Sequence, residues 1–201
     1  PAKRVVGIHL PDNQTKIAQL IAGGVDMIRN ISPDNAKSLA NVPNLEVSYL
    51  KSNFMVFFAM DAANISGNKA LADVRVRRAV WMSMNRDAII KHIVPGGSRA
   101  QKMQALCFKS AAACKWTKDA PAYNPAEAKR LLAEAGYPNG IDMVIHSVSR
   151  IKEITEAMAG EMRKVGIRAR VQSTNIGTYR RLQGQGKLQA WTIAYPAGAF
   201  P

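Results

Sequence analysis

Cysteine is scarce in this chain: 201 residues hold two, Cys107 and Cys114. That is too few for a disulfide-dense scaffold, and neither lies in a CxxC or beside a histidine pair, so no zinc site is expected. Histidine is as thin, with His9, His92 and His146 far apart, so metal binding has no local support. Aromatic residues make up only 6%, where a nucleic-acid module usually mixes a basic stripe with stacking rings. No apolar run approaches the length of about 18 residues that a membrane-spanning helix needs. The first ten residues carry Lys3-Arg4 but lack the long apolar stretch of a signal peptide. They suit either a cytosolic chain or the mature part of an exported one.

Enzyme signatures are missing too. The sequence has no GxxxxGK[ST], no GxGxxG after a strand, no HExxH and no GxSxG. GQGK at residues 184–187 lacks the glycine spacing and the following Ser/Thr of a phosphate loop, and reads as a turn. Asp26, Asp61, Asp73 and Asp87 are separated carboxylates at element ends, better explained as caps and surface groups than as an acid–base pair. Neither catalysis nor a cofactor is expected.

What the chain does have is positive charge: 28 Lys/Arg against 14 Asp/Glu, a net +14. A polyanion such as nucleic acid is one partner class that charge allows. The cations are scattered as pairs, Lys3-Arg4, Arg77-Arg78, Arg163-Lys164 and Arg180-Arg181, with no basic block. A solvated cationic surface explains that scatter better, and a stand-alone polyanion binder is kept as the rival reading. Hydrophobic residues make up 47%, and this length suits one domain burying roughly 70% of its unfolded surface.

Along the chain, helical and strand signals alternate. VVGIHL (residues 5–10) and VDMIRNI (25–31) read as strands. Between them Asp12 caps a helix that Gly23-Gly24 ends, and Ser32-Pro33 starts another that runs to about Asn41. Residues 45–61 are rich in strand formers. Asp73 caps a helix bearing Val76, Val80 and Met84, and a second runs from Arg86. Residues 95–123 hold both cysteines and no clear period, the longest loop candidate. Asn124, Pro125 and Glu127 then give N-cap, N1 and N3 in a capping-box arrangement, with Gly136 as the stop. Strand 141–148, a helix carrying Ile151, Ile154, Met158, Met162 and Val165, and the alternating strand at Ile167, Ala169 and Val171 follow. A short helix at about 176–183 precedes a last strand at about 188–194. Such alternation implies an α/β lobe with a mainly parallel or mixed sheet.

Three stretches in this order carry a resemblance. GGVDMIRNISPD (23–34), DVRVRRAVWMSMNRDAII (73–90) and YNPAEAKRLLAEAGYPNGI (123–141) are similar to segments of the family 5 extracellular solute-binding proteins of ABC transporters. A helix ending in RKVGI (163–167) and a strand with Trp191 before Tyr195-Pro196 continue the match over nearly the whole chain. The resemblance implies a periplasmic-binding-protein-like (type II) lobe, a mixed sheet flanked by helices, over residues 1–201. It also implies the second lobe of a longer polypeptide, closing on a peptide-like or other small polar solute against a first lobe. The expected partners are the permease subunits of the importer and not nucleic acid. The expected place is the periplasm, or the outer face of a membrane. In peptide binders of this family that grip a free α-amino group, an aspartate precedes the aromatic; here Ala194 precedes Tyr195. Asn85-Arg86 likewise stands where the family's helix pair has Asp-Arg.

In open α/β lobes ligands lie beyond the carboxyl ends of the strands. That rule selects three places: 147–150 after one strand, with Ser149 and Arg150; 191–195 at the end of the last, with Trp191 and Tyr195; and Tyr179-Arg180-Arg181 on the helix before it. Arg150 would meet a carboxylate or carbonyl, and Trp191 would stack on a planar solute. The competing reading places Trp191 in the core and the arginines on a solvated surface. Because the resemblance implies an oxidising compartment, Cys107 and Cys114 are expected to form a disulfide pinning the long loop. Two reduced thiols on a helix are the alternative.

Overall fold

The computed structural model describes residues 3–10, 12–49, 54–94, 100, 102–103 and 120–196. Contacts divide the chain into two compact units, Pro1–Ser48 and Tyr49–Pro201, and the span expected for one lobe contains both. Cys107, Cys114 and most of the loop between 95 and 123 lie outside the described residues. Among those described, no helix is long and apolar enough to cross a membrane.

The first unit holds α1 (Asn13–Ile21) and α2 (Pro33–Leu39). Both start where side-chain oxygens replace missing backbone partners. Asp12 accepts from the Thr15 N–H at 2.6 Å, and Ser32 accepts from the Asn35 N–H at 3.3 Å. Gly23, at φ 73°, lets the chain turn out of α1. The segments at 5–10 and 25–31 are not strands here. Most of their side chains are exposed, Val5 at 84% and Met27 at 73%, while Leu10, Val25, Ile28 and Ile31 are half-buried. Alternation alone does not make a strand: the ladder needs a neighbour to accept its N–H groups, and these segments pair with none of the four strands.

The second unit runs β1 (Phe54–Met60), a 3-10 turn (Lys69–Ala72), α3 (Val74–Met82), α4 (Arg86–Ile93) and α5 (Pro125–Glu134). It continues through β2 (Ile141–Val148), a 3-10 turn (Ser149–Ile151), α6 (Lys152–Arg163), β3 (Ile167–Thr174), α7 (Ile176–Gly184) and β4 (Ala190–Pro196). Asp73, Asn85, Asn124 and Asn175 cap α3, α4, α5 and α7. The capping box expected at α5 is half formed. Asn124 accepts from the Glu127 N–H at 3.0 Å, but the Glu127 carboxylate pairs with Arg130 instead of reaching back. The Asn124 N–H is already taken by the Met82 carbonyl at 2.9 Å, which ties the start of α5 to the end of α3.

The sheet order is β1-β4-β2-β3. β4, β2 and β3 run parallel, and β1 joins β4 antiparallel at the edge. This is the mixed sheet that the alternation implied. Ile141, Met143 and Ile145 of β2 pack with Ile167 and Ala169 of β3 against Val76, Val80, Leu131, Leu132 and Met162. Each such side chain contributes about 1.5–3 kcal/mol by leaving water, so this cluster holds α3, α5 and α6 on one face. A second cluster joins Val148, Ile193 and Ala194 to Ile151, Tyr179 and Leu188, with Trp191, Tyr195, Phe57 and Leu182 packed on it. At the other end of β2 and β3 two glycines touch: a Cβ on Gly140, φ +80°, would lie 1.9 Å from the Gly166 carbonyl oxygen.

Candidate functional site

The carboxyl ends of β2, β3 and β4 converge with the start of β1, because the antiparallel register sets Phe54 opposite Pro196. Beyond Val148 the chain makes the turn Ser149–Ile151 before α6. Ser149 Oγ donates to the Thr174 carbonyl at the end of β3, at 3.3 Å. Arg150 reaches the other way: its Nη2 donates to the Ala194 carbonyl at 2.6 Å. Its guanidinium also lies 5.7 Å from the centroid of the Phe54 ring, within cation–π range. Phe57 and Tyr195 sit beside each other, with ring centroids 6.3 Å apart and planes at 53°. Arg150 and Phe54 form an exposed lip at these strand ends, and Phe57 and Tyr195 are a separate ring pair packed on the second cluster.

A buried chain of hydroxyls fixes the lip from below. Ser147 Oγ lies 3.0 Å from Thr155 Oγ1, which lies 2.7 Å from Thr192 Oγ1. Thr155 also contacts the Ile151 carbonyl at 3.0 Å. Ser147, Thr155 and Thr192 are all fully buried. Buried hydroxyls left unpaired are costly, so the chain favours one relative placement of β2, β4 and the start of α6. Sequence reasoning reached Ser147 and Thr192 only as members of the strand-end spans 147–150 and 191–195, and missed Thr155 and the hydroxyl chain. The available signal was Ser147 standing in the inward period of Ile141, Met143 and Ile145, where an apolar residue would be ordinary. It missed Phe54 as well.

Of the six residues singled out in the sequence, Ser149, Arg150 and Tyr195 lie at these strand ends, with Arg150 at the lip. Trp191 is half-buried in the second cluster, four residues before Tyr195. Tyr179 is fully buried in that cluster, and its Oη has no hydrogen-bond partner among the described residues. Burial, aided by nearby Tyr195, pushes its phenol pKa up. Arg180 lies exposed on α7. His146, on β2, is buried with an unpartnered Nδ1; burial and Arg170 hold its pKa down, which favours the neutral ring. An open groove of about 670 Å³ runs elsewhere, between α6 and β3, past Arg163, Arg168 and Arg170.

Comparison with known proteins gives a consistent set. The family described as bacterial extracellular solute-binding proteins, family 5 Middle, matches residues 2–201. The heme-binding protein A of Haemophilus influenzae is 28% identical, over 94% of this chain and 35% of its own length. The glutathione-binding protein GsiB of Escherichia coli is also 28% identical, over 89% of this chain and 34% of its own. The chain thus spans about a third of the length of the curated relatives it matches. Among solved structures, a dipeptide-binding protein from Pseudoalteromonas in complex with Met-Leu superposes with a TM-score of 0.79 at 21% identity, covering 93% of this chain and 37% of that one. The periplasmic binding protein DppA from Helicobacter pylori, in complex with the peptide STSA, gives 0.76 at 24%, covering 94% of this chain and 36% of that one. At these identities the superpositions establish the fold.

Proposed function

Because the chain belongs to the family 5 bacterial extracellular solute-binding proteins, we propose that it is part of the substrate-binding component of an ABC importer. The observation that carries this reading is the placement of Arg150 and Tyr195 at the carboxyl ends of parallel strands, with Phe54 beside Arg150 at the start of β1, where open α/β sheets take ligands. In this reading the unit Tyr49–Pro201 is the second lobe, and the first lobe lies elsewhere in the polypeptide. A peptide-like or other small polar solute binds between them. Closure is a hinge motion, driven by contacts made only when both lobes touch the solute. The protein then meets the permease subunits outside the cytoplasm, and it binds without catalysing. The relatives named for heme and glutathione widen the solute classes worth testing beyond peptides.

Ala194 supports a solute held without a free amino terminus at this position, since an ammonium withdrawn from water wants a carboxylate partner. Native mass spectrometry of the full-length protein purified from its host tests the proposal. The expected result is a small-molecule adduct that leaves on denaturation. A protein that carries none, and binds none of a panel of peptides, glutathione and hemin, refutes it.

A further inference from the structure

One edge of the sheet stands open beside a charged wall. β3 is the last strand in the order β1-β4-β2-β3, and among the described residues it pairs with β2 alone. No backbone bond outside the sheet uses residues 168–171 among those described. An edge strand presents a row of unpaired N–H and C=O groups. Along this edge runs the groove of about 670 Å³, whose other wall is the stripe Glu156, Ala159 and Arg163 of α6. Strand spacing sorts the β3 residues between two sides. Ala169 and Val171 join the cluster under α6, while Arg168 and Arg170 alternate with them and are exposed.

The charge of this edge is one-sided. Arg163 and Arg170 enter none of the ion pairs among the described residues. Arg168 pairs with Asp142, and Glu156, the acid in the groove, pairs with Lys152. A second copy of this chain, paired edge to edge, sets arginine against arginine, and like charges across a ladder repel. We propose that the edge instead takes an extended, acidic segment of a partner protein as an added strand. The backbone of that segment bonds to β3. Its acids, at alternate positions, stand across from Arg168 and Arg170. The residues between them, small and apolar, enter the groove against Ala159 and Val171, where Arg163 supplies a further cation. The edge segment 168–171 precedes the strand end at Thr174, so the proposal does not rest on the solute-binding reading.

The test uses fluorescence anisotropy on the full-length protein with labelled, end-blocked peptides: a Glu-Val repeat, the matching Gln-Val repeat, and a Glu-Pro repeat of the same charge. The Glu-Val peptide is expected to bind about tenfold more tightly than either control, since one lacks charge and the other lacks ladder donors. Joint Arg163→Gln and Arg170→Gln substitution should lower its affinity about fivefold. A melting curve shows whether that variant is folded; if it is not, hydrogen exchange on the parent protein decides. Bound peptide should slow exchange at residues 168–171. Equal binding of Glu-Val and Glu-Pro overturns the proposal, because charge alone then suffices. So does affinity that survives in the folded variant, or protection that falls elsewhere, as when the peptide lies in a solute cleft. An oligothymidylate of equal charge that displaces the peptide more readily than unlabelled Glu-Val does marks a general polyanion surface and overturns it too. If no peptide binds, the edge is closed in the whole protein, and the proposal falls.

Discussion

Replacing Gly140 by alanine is expected to do far more damage than the same change four residues earlier. Both Gly136 and Gly140 hold positive φ, at +90° and +80°. A side chain in that region costs roughly 1–2 kcal/mol for an L residue. Gly136 has nothing within 4 Å of a built Cβ, so Gly136→Ala should lose only that amount. At Gly140 the new carbon would lie 1.9 Å from the Gly166 carbonyl oxygen and 2.6 Å from its carbon. Both neighbours are backbone, so no side chain can swing aside. Relief requires the starts of β2 and β3 to separate, where Ile141 pairs with Ile167. Forced overpacking of this kind costs about 1–3 kcal/mol more. Gly140→Ala should therefore lose about 2–5 kcal/mol in all, from those two ranges. Urea unfolding of the protein and both variants, followed by far-UV circular dichroism, reads the difference directly. Equal midpoints for the two variants would refute the close-approach argument, because only Gly140 has a neighbour to strike.

Thr155→Val keeps the shape of the side chain but leaves the buried hydroxyls of Ser147 and Thr192 without their shared partner; a loss of about 1–3 kcal/mol is expected by thermal unfolding, and an unchanged midpoint would count against the hydroxyl chain. The carboxyl of Asp73, which caps α3, is held at about 2 by Arg75, below its ordinary value of 3.8. Its folded pKa is the lower one, so its contribution is full above pH 4 and fades as pH falls towards 2. Asp73→Asn should flatten the pH dependence of stability over that window, and an acid limb as steep as in the parent would sink the assignment. For Cys107 and Cys114, thiol counting on unfolded, unreduced exported protein should find no free thiol; two titratable thiols rule out the bridge.

Much of the second unit was legible because its signals are local. Asn124, Pro125 and Gly136 bracket α5 within a dozen residues, and the alternation of Ile167, Arg168, Ala169 and Arg170 reports a half-buried strand without reference to anything else. The segments at 5–10 and 25–31 carried comparable patterns yet formed no ladder, since pairing depends on a partner strand that the local sequence does not contain. The site divided along the same line. Ser149, Arg150 and Tyr195 follow from a rule about strand ends. Phe54 meets Arg150 only because β1 enters antiparallel beside β4, a pairing that no window of neighbouring residues encodes. Tyr179 was read from its position near a strand end, while its depth is set by which side of α7 meets the sheet.

The pairing of Phe54 with Pro196 also bears on how the molecule is made. Among the described residues the first strand of the second unit pairs with the last alone, so this sheet cannot be completed until almost all of that unit has left the ribosome. Long-range pairing of this kind slows folding, because a large loop must close before any contact rewards it. Meanwhile the nascent segment FMVFFAM stands as an apolar strand without a mate, the sort of stretch that aggregates when it waits. A chaperone or an export machine that holds the newly made polypeptide unfolded would find its natural grip there.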